Sequence, residues 1–322
     1  MEEKIIAVIN EMAEVLNVAQ LKKLQEVMLK KFADNEAEKQ TIANDEYLRL
    51  FLEAKTVEGC SQRTIAYYRT TMERLLSKLD NSVRRVTTEN MRSYLAEYQN
   101  WNDCSKVTVD NVRRNISSFF SWLEEEDYIL KSPMRRIHKI RTKKPVKNVI
   151  TDECIEKLRD GCTELRDVAI IDLLYSTGMR VGELVNLNID DINFESRECV
   201  VFGKGDKERI VYFDAKAKIH LQKYISSRSD QERALFVSLD APYNRLKISG
   251  VEIRLRELGR KLNLEKIHPH KFRRTMATRA IDKGMPIEQV QRILGHSQID
   301  TTMQYAIVNQ NNVKVSHQKF IA

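Results

Sequence analysis

Ser176-Thr177-Gly178-Met179-Arg180-Val181-Gly182-Glu183-Leu184 is the stretch on which the reading of this chain turns. Just before it, Arg166 to Tyr175 carries Val168, Ile170, Ile171, Leu173 and Leu174, a density of apolar residues that predicts a buried helix. Thr177-Gly178 breaks that helix, and Val181 to Leu187 predicts the next one, with Arg180 beside its start. A permanent cation is thus set at the junction of two helices. Downstream, two β-rich runs follow, Glu198 to Phe202 and Glu208 to Phe213. They are joined by Gly203-Lys204-Gly205-Asp206-Lys207, whose glycines suit a hairpin connection. Helices are expected to resume from there to the end. The expected fold class is mainly α with a small antiparallel β-sheet.

Upstream of this region the pattern is helical. Residues 1–40 space Ile5, Val8, Ile9, Met12 and Leu16, then Leu21, Leu24, Met28 and Phe32, as two short amphipathic helices broken near Asn17-Val18. Four further helices are predicted, opening at Asn44-Asp45, Ser61-Gln62, Thr87-Thr88 and near Val107, each with capping residues or an apolar stripe. Their aromatics, at helical spacing, read as core. Lys131 to Lys147 then holds Lys131, Arg135, Arg136, Lys139, Arg141, Lys143, Lys144 and Lys147, with two prolines and no acid. Such a run reads as a solvated linker, and between two basic halves it also reads as a contact for phosphates.

Composition bounds the class. With 322 residues, 42% of them hydrophobic, the chain is long enough for two domains with true cores. The formal net charge of +8 favours an anionic partner such as DNA. Cys60, Cys104, Cys154, Cys162 and Cys199 are scattered, with no Cys-x-x-Cys pair, so they read as reduced thiols rather than a disulfide frame or a zinc ribbon. Met1-Glu2-Glu3-Lys4 lacks the basic start of a signal peptide, and no apolar run nears the ~20 residues of a membrane span. A cytoplasmic protein with no membrane partner is expected.

The polar residues of the second half are complementary. Breaking a phosphodiester needs positive donors on the non-bridging oxygens, an acid at the leaving oxygen and a nucleophile. Arginine suits the first task because its planar fork meets two phosphate oxygens and never loses charge. Arg180 and Arg273 are such donors, and Arg273 lies three residues after His270, so on a helix the two share a face. Lys204 at a hairpin tip is placed to reach a leaving oxygen, with Lys207 and Arg209 as rivals, and Tyr305 supplies a phenol. Taken singly, Arg180 reads as a surface arginine, His296 as a helix cap and Tyr305 as a core phenol. His268, His270 and His296 have no accompanying Asp or Glu ligand pattern, so no metal site is read.

Order changes that reading. Thr177-Gly178-Met179-Arg180-Val181-Gly182-Glu183-Leu184, Lys204 in its turn, His270 to Arg273, Leu294-Gly295-His296, and Tyr305 nine residues after the histidine run in one series. In this the chain resembles the tyrosine recombinases of the phage integrase and Xer-like family. The resemblance implies a two-domain DNA clamp: a helical N-terminal extension (1–42), a helical core DNA-binding domain (43–130), a basic linker (131–147), a catalytic domain (148–308) and a C-terminal tail (309–322) that packs on a neighbouring subunit. It implies that Tyr305 attacks the scissile phosphate to form a 3′-phosphotyrosyl link. Arg180, Arg273 and His296 would hold the phosphate, Lys204 would protonate the leaving oxygen, His270 would serve the tyrosine proton, and Glu183 would orient its neighbours. Arg135, Arg136, Lys139, Arg141, Lys143 and Lys144 would touch DNA. No cofactor, metal or ATP is expected. The expected partners are double-stranded DNA and three further copies in a homo-tetramer on two DNA sites, with room for an accessory DNA-bending or directionality factor. The first 40 residues tilt the expectation towards the integrase of a phage or mobile element. A Xer-like dimer resolvase, a type IB topoisomerase, and a DNA-binding protein that has lost cleavage are the alternatives.

Overall fold

The computed structural model describes residues 8–13, 15–37, 42–142, 148–203 and 208–305. Its chain divides into two compact units, residues 1–145 and 146–322. Lys143, Lys144, Lys204, Lys207 and the tail from residue 306 lie outside the described residues.

The first unit is helical. Residues 8–12 are helical and α1 (Val18–Ala37) begins after a break at Asn17. Then follow α2 (Asn44–Val57), α3 (Gln62–Leu76), α4 (Thr88–Trp101) and α5 (Lys106–Glu125). Local chemistry sets the starts. Ser61 and Ser105 each accept from a backbone N–H three residues on, and Thr87 exchanges bonds with Asn90 in a capping box. The amphipathic faces meet in one aromatic core. Phe51 is fully buried, with ring centroids of Tyr68, Phe119 and Trp122 at 5.2, 5.3 and 5.7 Å.

The basic stretch after α5 is anchored on this unit as far as it is described. Met134 is buried, Ile137 and Ile140 pack on the core, and the Ile140 N–H donates to Asp110 at 3.0 Å. Arg135, Arg136, Lys139 and Arg141 all face solvent. Apolar residues inward and cations outward give the segment a fixed course and a positive outer surface.

The second unit is built around α7 (Leu165–Thr177), packed by α6 (Asp152–Asp160), α9 (Ala215–Ser226), α11 (Pro269–Asp282) and strand β3 (Glu208–Tyr212). α8 (Val181–Asn186) follows α7, and α10 (Ile248–Lys261), α12 (Ile287–Leu294) and α13 (Ile299–Met303) complete the helices. α7 is largely buried, with Ala169, Ile170, Ile171, Leu173 and Leu174 in the core, and its buried charges are paired: Asp167 with Arg166 and Arg254, and Asp172 with Arg159. β1 (Ile192–Asn193), β2 (Glu198–Phe202) and β3 form an antiparallel sheet in that order. Register pairs Ile192 with Cys199 and Val201 with Arg209, so Cys199, Val201 and Val211 face the core. The protein is therefore mainly α with a small antiparallel sheet.

Two details differ from the sequence reading. β1 is a third strand too short to show period-two alternation. Helices do not resume continuously after β3, since residues 227–247 are irregular, with bridges Asn188–Ala234 and Val237–Arg245. There Asp230 accepts from the Glu232 N–H and from Arg228, which also donates to the carbonyls of Glu232, Ala234 and Leu235. These side chains satisfy the backbone that a helix would have satisfied itself. No helix among the described residues is long and apolar enough to cross a membrane.

Phe51→Ala should cost about 3–5 kcal/mol, because the surrounding rings cannot close the void. Urea unfolding followed by tryptophan fluorescence checks this, and a loss under about 1 kcal/mol would mean that the aromatic core is not cooperative.

Candidate active site

α7 ends on Gly178, held in the left-handed conformation (φ 63°), and the chain turns straight into α8 with Arg180 at the N-cap. Thr177, fully buried, donates to the Leu173 carbonyl and accepts from the Met179 N–H, fixing that turn. Glu183, one turn into α8, reaches back to accept from the Arg180 backbone N–H (2.7 Å) and from Arg180 Nη1 (2.8 Å). The Thr-Gly-x-Arg-x-x-Glu series is thus a helix stop and a helix start that share one carboxylate.

Glu183 also accepts two bonds from Arg209, at 2.7 Å from Nη1 and 2.6 Å from Nη2. Burial would raise the Glu183 pKa, but hydrogen bonds from Arg209 and from the Arg180 backbone outweigh it and the carboxyl is held below its usual range. Arg209 is therefore engaged with Glu183. The overlooked signal was strand parity, because Arg209 lies on the same face of β3 as fully buried Val211, and a charge on a core face needs a partner.

The C-terminal end of α12 closes the site. Three consecutive carbonyls there accept from three arginines: Ile293 O from Arg209 Nε (2.8 Å), Leu294 O from Arg273 Nη2 (2.6 Å) and Gly295 O from Arg180 Nη2 (3.2 Å). Arg273, on α11 and only 3% exposed, also donates to Gly178 O at 2.8 Å. Gly295 is left-handed (φ 63°), and an added Cβ would sit 2.9 Å from the Arg209 Cδ.

His296 follows directly. Its Nε2 is 2.9 Å from Arg273 Nη2 and its Nδ1 is 2.9 Å from the hydroxyl of fully buried Thr302. A guanidinium can only donate, so Nε2 accepts and the ring proton is on Nδ1, facing Thr302. Burial, then Arg273, Arg180 and Arg209, push the His296 pKa down to about 4. Burial and the Arg180 charge likewise push Arg273 down to about 10, still a cation at neutral pH. Tyr305 lies just beyond α13, its ring stacked on His296 with centroids 6.0 Å apart and packed against the cluster of Ala277, Val290 and Leu294. His270, exposed on the first turn of α11, is lowered by burial and then by Arg273 and Arg180, so it lies within their field.

Arg180, Glu183, Arg273, His296 and Tyr305 therefore gather at one place, with His270 at its margin, while Lys204 lies outside the described residues. Arg209, weighed from sequence as a rival to Lys204, joins them through Glu183, and Thr302, which the sequence did not single out, joins through His296. Thr302 gave no sequence signal, because only the turn after Gly295 brings it under the imidazole.

Glu183→Ala should cost about 3–5 kcal/mol in urea unfolding, because it leaves the charges of Arg209 and half-exposed Arg180 without their carboxylate partner. Glu183→Leu combined with Arg209→Met should lose less than the sum of the two single changes, and strict additivity would overturn the coupling. A second expectation concerns pH. His296 falls from the usual 6.5 to about 4, so between those values the unfolded chain binds a proton that the folded chain refuses. Stability should drop as pH falls across this window, with lowered His270 and His268 sloping the same way. His296→Gln should flatten the slope in melting temperature against pH.

Comparison with known proteins bears on what this site is. The phage integrase family model matches residues 147–312, and the model of the phage integrase N-terminal SAM-like domain matches residues 47–130. The tyrosine recombinase XerC of Oceanobacillus iheyensis is 31% identical over 293 residues, covering 85% of this chain and 95% of that one. The tyrosine recombinase XerA of Pyrococcus horikoshii is 28% identical over 286 residues, covering 88% and 96%. The Tn1549 transposon integrase, solved with a circular intermediate DNA, shares the fold with a TM-score of 0.70 at 18% identity, covering 85% of this chain and 98% of that one. The series of motifs, the relatives and the shared fold agree: the chain belongs to the phage integrase family of tyrosine recombinases.

Proposed function

We propose that this protein is a site-specific recombinase that cuts and rejoins duplex DNA through Tyr305, without metal or ATP. The observation that carries this reading is the contact of Arg273 with His296 at 2.9 Å, with Arg180 bound to the next carbonyl and the Tyr305 ring stacked on the same imidazole. A phosphate there would meet two guanidiniums, an imidazole and a phenol.

The Tyr305 oxygen attacks phosphorus as the bond to the 5′-oxygen breaks, leaving a 3′-phosphotyrosyl link and a free 5′-hydroxyl. Arg180 and Arg273 bind the non-bridging oxygens, where charge builds in the transition state. Arg180 is pre-aligned by Glu183 and the Gly295 carbonyl, and Arg273 by the Gly178 and Leu294 carbonyls, so little reorganisation accompanies the reaction. His296 is neutral without ligand, and a bound phosphate offsets the arginine field and lets the ring donate to it. His270 takes up the tyrosine proton and Lys204 protonates the leaving oxygen. One phosphoester is exchanged for another, so the reverse attack reseals the strand with no external energy source.

Residues 43–130 are proposed as the core DNA-binding domain and 148–308 as the catalytic domain. Between them Arg135, Arg136, Lys139, Arg141, Lys143 and Lys144 would serve as phosphate contacts in the cytoplasm, where the chromosome lies. Strand exchange implies two duplex sites and a homo-tetramer. The integrase of a phage or mobile element and a Xer-like resolvase share this chemistry. The XerC and XerA relatives, matched over 95% and 96% of their lengths, favour the Xer-like reading, with residues 1–42 as the feature set against it.

Covalent capture tests this. Protein and its Tyr305→Phe variant are incubated with sheared genomic DNA of the source organism, in EDTA and without ATP, denatured in detergent, and bound fragments are sequenced. Tyr305-dependent fragments converging on one short inverted repeat are expected. Scattered fragments would indicate a topoisomerase, and DNA binding with no covalent product would overturn the reading.

A further inference from the structure

Arg274 follows Arg273 on α11 yet takes no part in the network around Glu183. A step of one residue turns the side chain by about 100°, and the two neighbours differ accordingly. The guanidinium of Arg273 is tied to the Gly178 and Leu294 carbonyls. The Nε of Arg274 is shut off from solvent with no hydrogen-bond partner, one of two such side-chain atoms among the described residues, the other being the Trp122 indole in the first unit. No carboxylate among the described residues offsets the Arg274 charge. Burial lowers its pKa, and Tyr305 is the group that acts against that.

The surroundings are cationic. Arg274, His270, Lys266 and Lys271 all depress the pKa of His268 after burial, and of these Lys271 is paired, with Glu265 at 3.1 Å. Arg274 also lies one turn before Ala277 on α11, and Tyr305 packs against the cluster containing Ala277. The side chain as a whole is partly exposed, and its unmet Nε–H is a costly donor that an incoming ligand can complete. The ligand that suits a guanidinium among other cations is an anion with oxygen acceptors.

We propose that Arg274 binds a backbone phosphate of the cleaved DNA strand beside Tyr305, as a phosphate contact separate from Arg180 and Arg273. This rests on the recombinase reading above. The contact fixes the strand against the phenol while Arg273 serves the phosphate under attack.

The test uses a duplex carrying the site recovered by covalent capture, nicked next to the cleavage position so that the tyrosine adduct accumulates. Parent, Arg274→Gln and Arg274→Lys proteins are compared on this duplex and on versions with one methylphosphonate at each phosphate around the cleavage position. Arg274→Gln should slow trapping about 10- to 100-fold, with Arg274→Lys in between and melting temperatures of both unchanged. One methylphosphonate should slow the parent by a similar factor and add little to Arg274→Gln. The salt slope of binding should fall by about one. Trapping by Arg274→Gln at the parental rate would overturn the proposal, as would a loss that multiplies with every neutralised phosphate. A shifted pH profile without phosphate coupling would assign Arg274 to the phenol and overturn it as well. Absence of any adduct from the parent would sink the recombinase reading itself, whereas a parental adduct that Arg274→Gln matches would sink this inference alone.

Discussion

Three neighbouring carbonyl oxygens at the end of α12 each take a different arginine, and the arrangement of the site depends on that contact. The last carbonyls of a helix have no intrahelical donor and carry the negative end of its dipole. They are acceptors already fixed in space, with no side-chain entropy to lose. Arg209 comes from a strand, Arg273 from α11 and Arg180 from the start of α8. One helix end therefore draws together elements distant in sequence, and Glu183 links Arg180 to Arg209 from the other side.

That arrangement depends on how the backbone leaves α12. Gly295 turns the chain into the left-handed region, which exposes the terminal carbonyls and starts the loop that places His296 over Thr302. A side chain at Gly295 would strain the backbone and press on the Arg209 side chain. Gly178 plays the matching part at the end of α7, where its carbonyl accepts from Arg273. The glycines in Thr177-Gly178 and Leu294-Gly295-His296 are thus part of how the arginines are held, in addition to being helix stops.

Much of this was legible in the sequence because order and spacing report on backbone turns. Arg180 with Glu183, and His296 with Tyr305, lie close enough in sequence for local geometry to bring them together. Arg273 meeting His296 was legible only through resemblance, since the contact joins α11 to the loop after α12 and no periodicity spans that distance. Arg209 reads from sequence as a rival to Lys204 and is found bonded to Glu183. Its chemistry suggested a phosphate or a leaving oxygen, while its parity on β3 placed it inside, and parity decided. β1 and residues 227–247 were missed because their backbone is satisfied by short pairings and by Arg228 and Asp230, which leave no pattern in hydrophobicity.

Charge balance gives the site its direction. Glu183 is the carboxylate placed among Arg180, Arg209 and Arg273, so the local sum is positive, and the shifts record it: His296 is driven to about 4 and Arg273 to about 10. Helix carbonyls moderate the repulsion but carry only partial charge. Such a state is tolerable because Glu183 and the carbonyls hold the guanidiniums in place, yet it is incomplete until an anion arrives. A second carboxylate would have quieted the repulsion and raised stability, at the cost of competing with the phosphate for the same donors. The proposed chemistry accounts for that missing carboxylate. Positive charge left unmet in the free protein is charge already oriented for a phosphodiester and for the extra charge its oxygens gain on attack.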